Sequence, residues 1–370
     1  MSGAVTDAGP TKSLGPLART ALESPTTIWT DSCSIEDLRY GVSIGAVGAT
    51  ANPTIVTEIW RADAERWSGR VKTLFDERAY DTDVQLAWAV VEEMSSEAAP
   101  LLLPAFHRTS GRQGRLSIQT DPTLFRSYDG MLAQAERFQA LAPNLLVKFP
   151  TTATGVAVME EATFRGVSVN ATVCFTVAQA VAAAEAVERG MSRREAAGFP
   201  TDSMGPVVTL MMGRLEDWLR LTVDRDGIIL DPTWLPWTGV AVIKEAYRTF
   251  QERGFRARLL GAAIRHRLHW TELVGGDLSI TIPPAWQRRF NGADLPIGPR
   301  IAEPVTATIL EGLKRSLPDF ERAIAEDGLE TGAFDAYPPT VRTLRSFGAA
   351  YRELLTFVGD AVLPDPDCPA

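Results

Sequence analysis

Short apolar runs recur along the chain and alternate with stretches of helical periodicity. The runs are Ile28 to Asp31, Val47 to Thr50, Leu116 to Gln119, Leu145 to Phe149, Val167 to Val173, Val207 to Met211, Ala257 to Gly261 and Leu278 to Ile282. Asp83 to Glu97, Thr123 to Leu141, Val177 to Glu188 and Gly239 to Arg253 carry apolar residues at helical spacing between them. Strand-like runs that alternate with helices predict a parallel sheet of the α/β class, and eight such runs predict a closed (β/α)8 TIM barrel. Two segments exceed what crossovers need. Residues 51–115 predict a helical insertion of two or three helices between the second and third strands. Residues 300–364 predict a helical tail, best defined over Glu303 to Ser316 and Pro339 to Val358, packed across the barrel or against the partner subunit of a homodimer. The expected partition is a flexible arm over 1–27, the barrel over 28–297 and a C-terminal extension over 298–370.

Composition narrows the function classes. The chain of 370 residues is 45% hydrophobic and 22% charged, with a net charge of −9, which argues against a nucleic-acid surface but leaves room for a local basic pocket. No apolar run approaches a membrane span, and the Gly-, Ala- and Ser-rich start lacks the apolar core of a signal peptide. A cytoplasmic protein is expected. Cys33, Cys174 and Cys368 are too dispersed for a disulfide framework or a zinc site. His266 and His269 are read as polar surface residues, so no metal is expected. Gly41-Val42-Ser43-Ile44-Gly45 lacks dinucleotide spacing, and no cofactor is expected.

Chemistry concentrates where strands end, which is where barrels place it. Lys148 is a lone amine inside Leu145-Leu146-Val147-Lys148-Phe149-Pro150. A strand-edge lysine can snorkel to water; one buried on both faces loses its charge more easily and can attack a ketone. Asp31 ends the first strand, Thr50 and Asn52 follow the second, and Gln119 ends the third. Asn170 and Thr172 lie on the fifth, Thr209 and Arg214 on or after the sixth, and Arg265 after the seventh. A Schiff base needs a proton shuttle, for which Asp31 is the natural group, with a water held by Thr172 and oriented by Gln119. Asn52, Asn170 and Thr209 suit sugar hydroxyls, and the forked guanidiniums of Arg214 and Arg265 suit a phosphate.

Seven blocks in order make the chain resemble the transaldolases, class I aldolases that carry a dihydroxyacetone unit on a lysine. They are Trp29-Thr30-Asp31-Ser32-Cys33-Ser34, Gly48-Ala49-Thr50-Ala51-Asn52-Pro53-Thr54-Ile55 and Gly114-Arg115-Leu116-Ser117-Ile118-Gln119. Val147 to Gly155, Gly166 to Val173, Gly213-Arg214 and Gly261-Ala262-Ala263-Ile264-Arg265 complete the set. The resemblance implies a (β/α)8 fold, Lys148 as Schiff-base nucleophile, Asp31 as proton donor and acceptor, and Thr172 holding the catalytic water. It also implies Asn52 and Asn170 on donor hydroxyls, Arg214 and Arg265 on the phosphate, and ketose and aldose phosphates as substrates.

Three positions depart from that pattern. Gln119 stands where transaldolases generally carry Glu, as it does in the related fructose-6-phosphate aldolases. Met211 replaces an aromatic residue, and Ala263 replaces a serine beside Arg265. The expected activity is transfer of a dihydroxyacetone unit. Release of free dihydroxyacetone, or use of a modified such as sulfonated sugar, is the alternative, and a non-catalytic binding barrel is a more distant one.

Overall fold

The computed structural model describes residues 14–364 and 366–367, so residues 1–13 of the expected arm, Asp365 and Cys368 lie outside the described residues. Eight strands form a closed, wholly parallel barrel: β1 Thr27–Thr30, β2 Gly48–Thr50, β3 Arg115–Gln119, β4 Leu145–Pro150, β5 Val169–Cys174, β6 Val207–Met211, β7 Arg258–Ala262 and β8 Ser279–Ile282. Closure is made by β8 on β1, with Thr27 opposite Ser279 and Thr30 opposite Ile282. Each expected strand is present, with its ends displaced by at most two residues.

Alternation along the strands sorts the barrel interior into layers. Trp29, Leu146, Val207, Leu260 and Ala262 form a separate apolar cluster inside it. Gly48 makes room for that cluster, because a Cβ there would lie 2.4 Å from the Trp29 ring. Polar residues follow. Thr209 Oγ1 donates to Asn170 Oδ1 (2.7 Å), and Asn170 Nδ2 donates to Ser117 Oγ (2.9 Å), so the amide crosses three strands.

Outside the barrel, four α-helices fill the β2–β3 segment, where two or three were expected: Pro53–Ala62, Ala64–Asp76, Asp83–Ala98 and Leu103–Arg108. The first two are separated at Asp63, whose φ of −142° and ψ of 57° depart from helical geometry. The N-terminal arm also needs correction. Residues 16–23 form a helix, with Leu17 and Ala18 buried and the Ala18 N–H donating to Asn291 Oδ1 at 3.0 Å. Pro16 at its first turn and a buried stripe over Leu17, Ala18 and Thr20 explain why this short segment is ordered.

The tail shares the barrel's core. Its final helix, Pro338–Val362, packs on the insertion, with Phe357 stacked on Trp60 at 5.8 Å and the Trp88 indole donating to the Tyr351 hydroxyl at 3.1 Å. Phe347 is completely buried, and shortening such a residue to alanine costs about 3–5 kcal/mol. Among the described residues no helix is long and apolar enough to cross a membrane.

Candidate active site

The C-terminal ends of the strands open into a cavity of about 900 Å³. Asp31, Asn52, Gln119, Lys148, Thr172 and Thr209 line it from the strand ends, joined by Met211, Arg214, Ala263 and Arg265. Lys148 is its only lysine among the described residues. The block around that lysine has a local logic. Pro150 ends β4, and Thr152 caps the helix Ala153–Phe164 by accepting the Gly155 N–H at 3.0 Å. Gly155 is required there, since a Cβ would meet the Pro150 carbonyl oxygen at 1.8 Å.

Lys148 is 4% exposed, and its Nζ donates to the Ala51 carbonyl oxygen at 3.0 Å. Burial pushes its pKa down to about 8, with Asp31 opposing the shift. At pH 7 that leaves roughly a tenth of the amine neutral, about 300-fold more than an unperturbed lysine would have. Asp31 is held just beyond β1 by its backbone N–H, which donates to the Ile282 carbonyl at 3.0 Å. Burial raises the Asp31 pKa, while Lys148, the hydroxyl of Thr50 and Arg214 pull it back. Burial thus works against the charged form of each partner, while their mutual attraction works for it.

Thr50 does not reach the cavity. It is fully buried and donates to Asp31 Oδ1 at 2.6 Å, while 2.7 Å separates its oxygen from that of Thr281. Its single proton goes to the carboxylate, so Thr281 donates to Thr50 and the three form a chain. Gln119 stands opposite Lys148 in register and is 7% exposed, and its buried Oε1 has no hydrogen-bond partner among the described residues. Asn52 Oδ1 caps the helix Pro53–Ala62 by accepting from Thr54 and Ile55, which leaves its amide N–H groups for a substrate oxygen. Asn170 sits beneath the cavity floor, with its amide engaged by Ser117 and Thr209.

The arginines are brought together by the turn after β6. Gly213 approaches so closely that a Cβ would lie 1.9 Å from the Ala263 oxygen, and Ala263 itself takes a left-handed φ of 62°. Arg214 stacks on the Phe347 ring at 5.0 Å, and burial and then the neighbouring Arg265 lower its pKa. Arg265 is exposed and paired with Asp217 at 2.8 Å.

Behind Arg265 the histidine expectation fails for one residue. His269 is fully buried, facing Glu216 Oε2 at 3.4 Å, while His266 Nε2 lies 2.7 Å from the same oxygen. Burial forces charge off the His269 ring, lowering its pKa to about 4. Burial opposes ionisation of Glu216, but the bonds from His266 and His269 outweigh it and hold the carboxyl far below its usual range. The three donor sets lie within 4.8 Å of one another, the spacing of a metal site. The Arg265 N–H, however, donates to His269 Nδ1 at 3.2 Å. That bond puts the ring proton of neutral His269 on Nε2, the atom a cation would need. The cluster is better built to fix the Arg265 backbone than to hold a metal.

Thr281, Phe347 and the Ala51 carbonyl were not anticipated from the sequence. Alternation along β8 turns Thr281 inward with Ser279 and would have found it. Phe347 and a main-chain oxygen carry no comparable signal.

The fold and site define a parallel barrel that presents one buried amine beside a buried carboxylate, with two arginines at the cavity's edge. The chain belongs to the Transaldolase/Fructose-6-phosphate aldolase family, whose family model matches residues 28–332. A transaldolase of Thiobacillus denitrificans is 31% identical over 235 residues, which cover 61% of this chain and 64% of that protein. A transaldolase of Thermobifida fusca is 27% identical over 347 residues, covering 90% and 89%. One from Mycobacterium tuberculosis is 26% identical over 234 residues, covering 61% and 62%. The chain thus spans a little under two thirds of the first and third of these relatives.

Proposed function

We propose that the protein transfers a dihydroxyacetone unit from a ketose phosphate to an aldose acceptor through a Schiff base on Lys148. The observation that supports this most is the buried, readily deprotonated Lys148 amine in a cavity shared with Asp31. Neutral Nζ adds to the donor C2 carbonyl, and Asp31 supplies the proton that lets the carbinolamine lose water. Ionised Asp31, steadied by Thr50, then takes the C4 hydroxyl proton as the C3–C4 bond breaks and the aldose leaves. The lysine-bound enamine attacks the acceptor aldehyde, and water at Thr172 and Gln119 hydrolyses the new imine. In this reading Asn52 and Thr209 bind substrate hydroxyls, and Arg214 and Arg265 the phosphate. Sugar-phosphate interconversion of the pentose phosphate type, in the cytoplasm, is the setting this reading implies, and a homodimer is compatible with it.

Arg214→Ala or Arg265→Ala is expected to weaken a phosphorylated donor by about 1.5–3 kcal/mol, the worth of a charge-assisted hydrogen bond. Unphosphorylated dihydroxyacetone should be affected much less. KM measured for both donors separates the cases, and equal losses would make the arginines structural.

A second reading, aldol cleavage with release of dihydroxyacetone, is favoured by one feature. Gln119 presents a neutral Oε1 where a carboxylate could hold the water's proton, and Met211 adds bulk without a hydroxyl. The deciding assay supplies a ketose phosphate with and without an acceptor aldehyde and quantifies free triose. Gln119→Glu is expected to move that ratio toward transfer and to change the pH–rate profile. If both stay as in the parent enzyme, Gln119 lies outside the proton relay.

A further inference from the structure

The end of β5 carries a strained turn that the reaction above leaves without a purpose. Ala171 lies opposite Val208 of β6 and Cys174 opposite Leu210, so β5 advances three residues where β6 advances two. The extra residue makes a β-bulge next to Thr172, which lines the catalytic cavity. Val173 takes a left-handed φ of 53° there. A β-branched residue adopts that conformation only where its surroundings enforce it.

Gln179 is the side chain in place to do so. It is fully buried in the first turn of the helix Val177–Ala196, where its backbone N–H donates to the capping Thr176 Oγ1 at 2.9 Å. Its Oε1 accepts the Phe175 N–H at 2.9 Å, and its Nε2 lies 3.3 Å from the Val173 carbonyl oxygen. One amide thus pairs main-chain groups on both sides of Cys174, where the register shifts. The same Nε2 donates to the Thr151 carbonyl at 3.1 Å and lies 3.3 Å from Thr340 Oγ1 of the tail helix. Thr151 in turn donates twice to the Thr172 carbonyl, from its N–H at 2.7 Å and its hydroxyl at 2.9 Å. Gln179 therefore ties together the strand ends that carry Lys148 and Thr172, yet it does not line the cavity itself. Were the bulge to relax, a slip of one residue would turn alternate side chains to the opposite face.

We propose that Gln179 is a positioning residue: by holding the Val173 bulge it keeps the Thr172 hydroxyl toward the cavity, where it anchors the water that hydrolyses the Lys148 imine. This role rests on the Schiff-base reading given above.

The test isolates hydrolysis. The full chain is equilibrated with dihydroxyacetone, diluted into ketone-free buffer and quenched with borohydride at intervals. The decay of reducible adduct on Lys148 then reads imine hydrolysis without carbon–carbon cleavage. Gln179→Met keeps the length of the side chain and removes its amide. It is expected to slow the decay about 10- to 100-fold, as misplacing a reacting group by about 1 Å does. The amount of adduct before dilution should match the parent, because imine formation and hydrolysis share the water and slow together. Partial misfolding has the opposite signature: less adduct, decaying at the parent rate. Thr172→Val should slow the decay at least as far, and adding Gln179→Met to it should cost little more, since both act at one point. A parent rate in Gln179→Met overturns the proposal. So does a Gln179→Met effect of full size in the Thr172→Val background, because Gln179 would then act through another group. A parent enzyme that forms no reducible adduct removes the Schiff-base reading, and this role with it; the other two outcomes leave that reading standing.

Discussion

Borohydride reduction in the presence of a ketose donor is expected to leave donor-derived mass on the peptide that contains Lys148, and Lys148→Met to abolish both the adduct and turnover. The loss should exceed the 10²–10⁴-fold that a general acid or base is worth, because no intermediate can form. Lys244 is the informative comparison. It too is largely shielded, but its ammonium is held by Glu272 at 2.9 Å and by the carbonyls of Arg300 and Glu303, so no lone pair is free. Lys148 has a single carbonyl partner and a lowered pKa of about 8. Depression of an amine pKa enlarges the neutral, reactive fraction, so trapping should speed up about tenfold between pH 6 and 7 and level off above about pH 9. Label on Lys244, or trapping that ignores pH in this range, would remove Lys148 from the mechanism.

Asp31→Asn is expected to lower kcat by about 10²–10⁴-fold, since the amide keeps the shape of the carboxyl but cannot carry the proton between C4 and the leaving water. Burial of the carboxyl raises its pKa, so the wild-type profile should show an acidic limb above the ordinary aspartate range, and Asp31→Asn should erase it. Removing the Asp31 charge also takes away the attraction that favours the Lys148 ammonium. The lysine limb should therefore move to lower pH in the variant. A less than tenfold loss with an unchanged profile would assign the proton shuttle elsewhere.

How far the sequence carried the reading depended on the range of the interactions involved. Strands β4 to β6 were legible because Leu145 to Phe149 and Val207 to Met211 are short apolar runs, buried on both faces in the structure. Lys148 and Gln119 could be placed at the mouth of the barrel because each is a polar residue at the C-terminal end of a strand-like run, where barrels open their cavity. The helix Pro16–Glu23 was not, since its order comes from Asn291 and the underside of the barrel, more than 270 residues away. The burial of His269 depends in the same way on Glu216, which only the folded barrel brings near. Thr50 shows a subtler limit. Its place at the end of the second strand was legible, but only geometry shows that its hydroxyl bonds Asp31 and Thr281 and does not reach the cavity.

The ring beneath Arg214 has a consequence for how the protein is made. Phe347 is encoded 133 residues after the arginine it supports. At about 5–20 residues per second, roughly 7–27 s separate their synthesis, and the last helix emerges later still. A nascent chain can assemble all eight strands, and with them Lys148 and Asp31, before the wall on the arginine side exists. Such a chain would hold the reactive amine in an unfinished cavity, open to any small carbonyl compound nearby. The arginine side of the cavity is thus completed only after the helix Pro338–Val362 has been made and has packed.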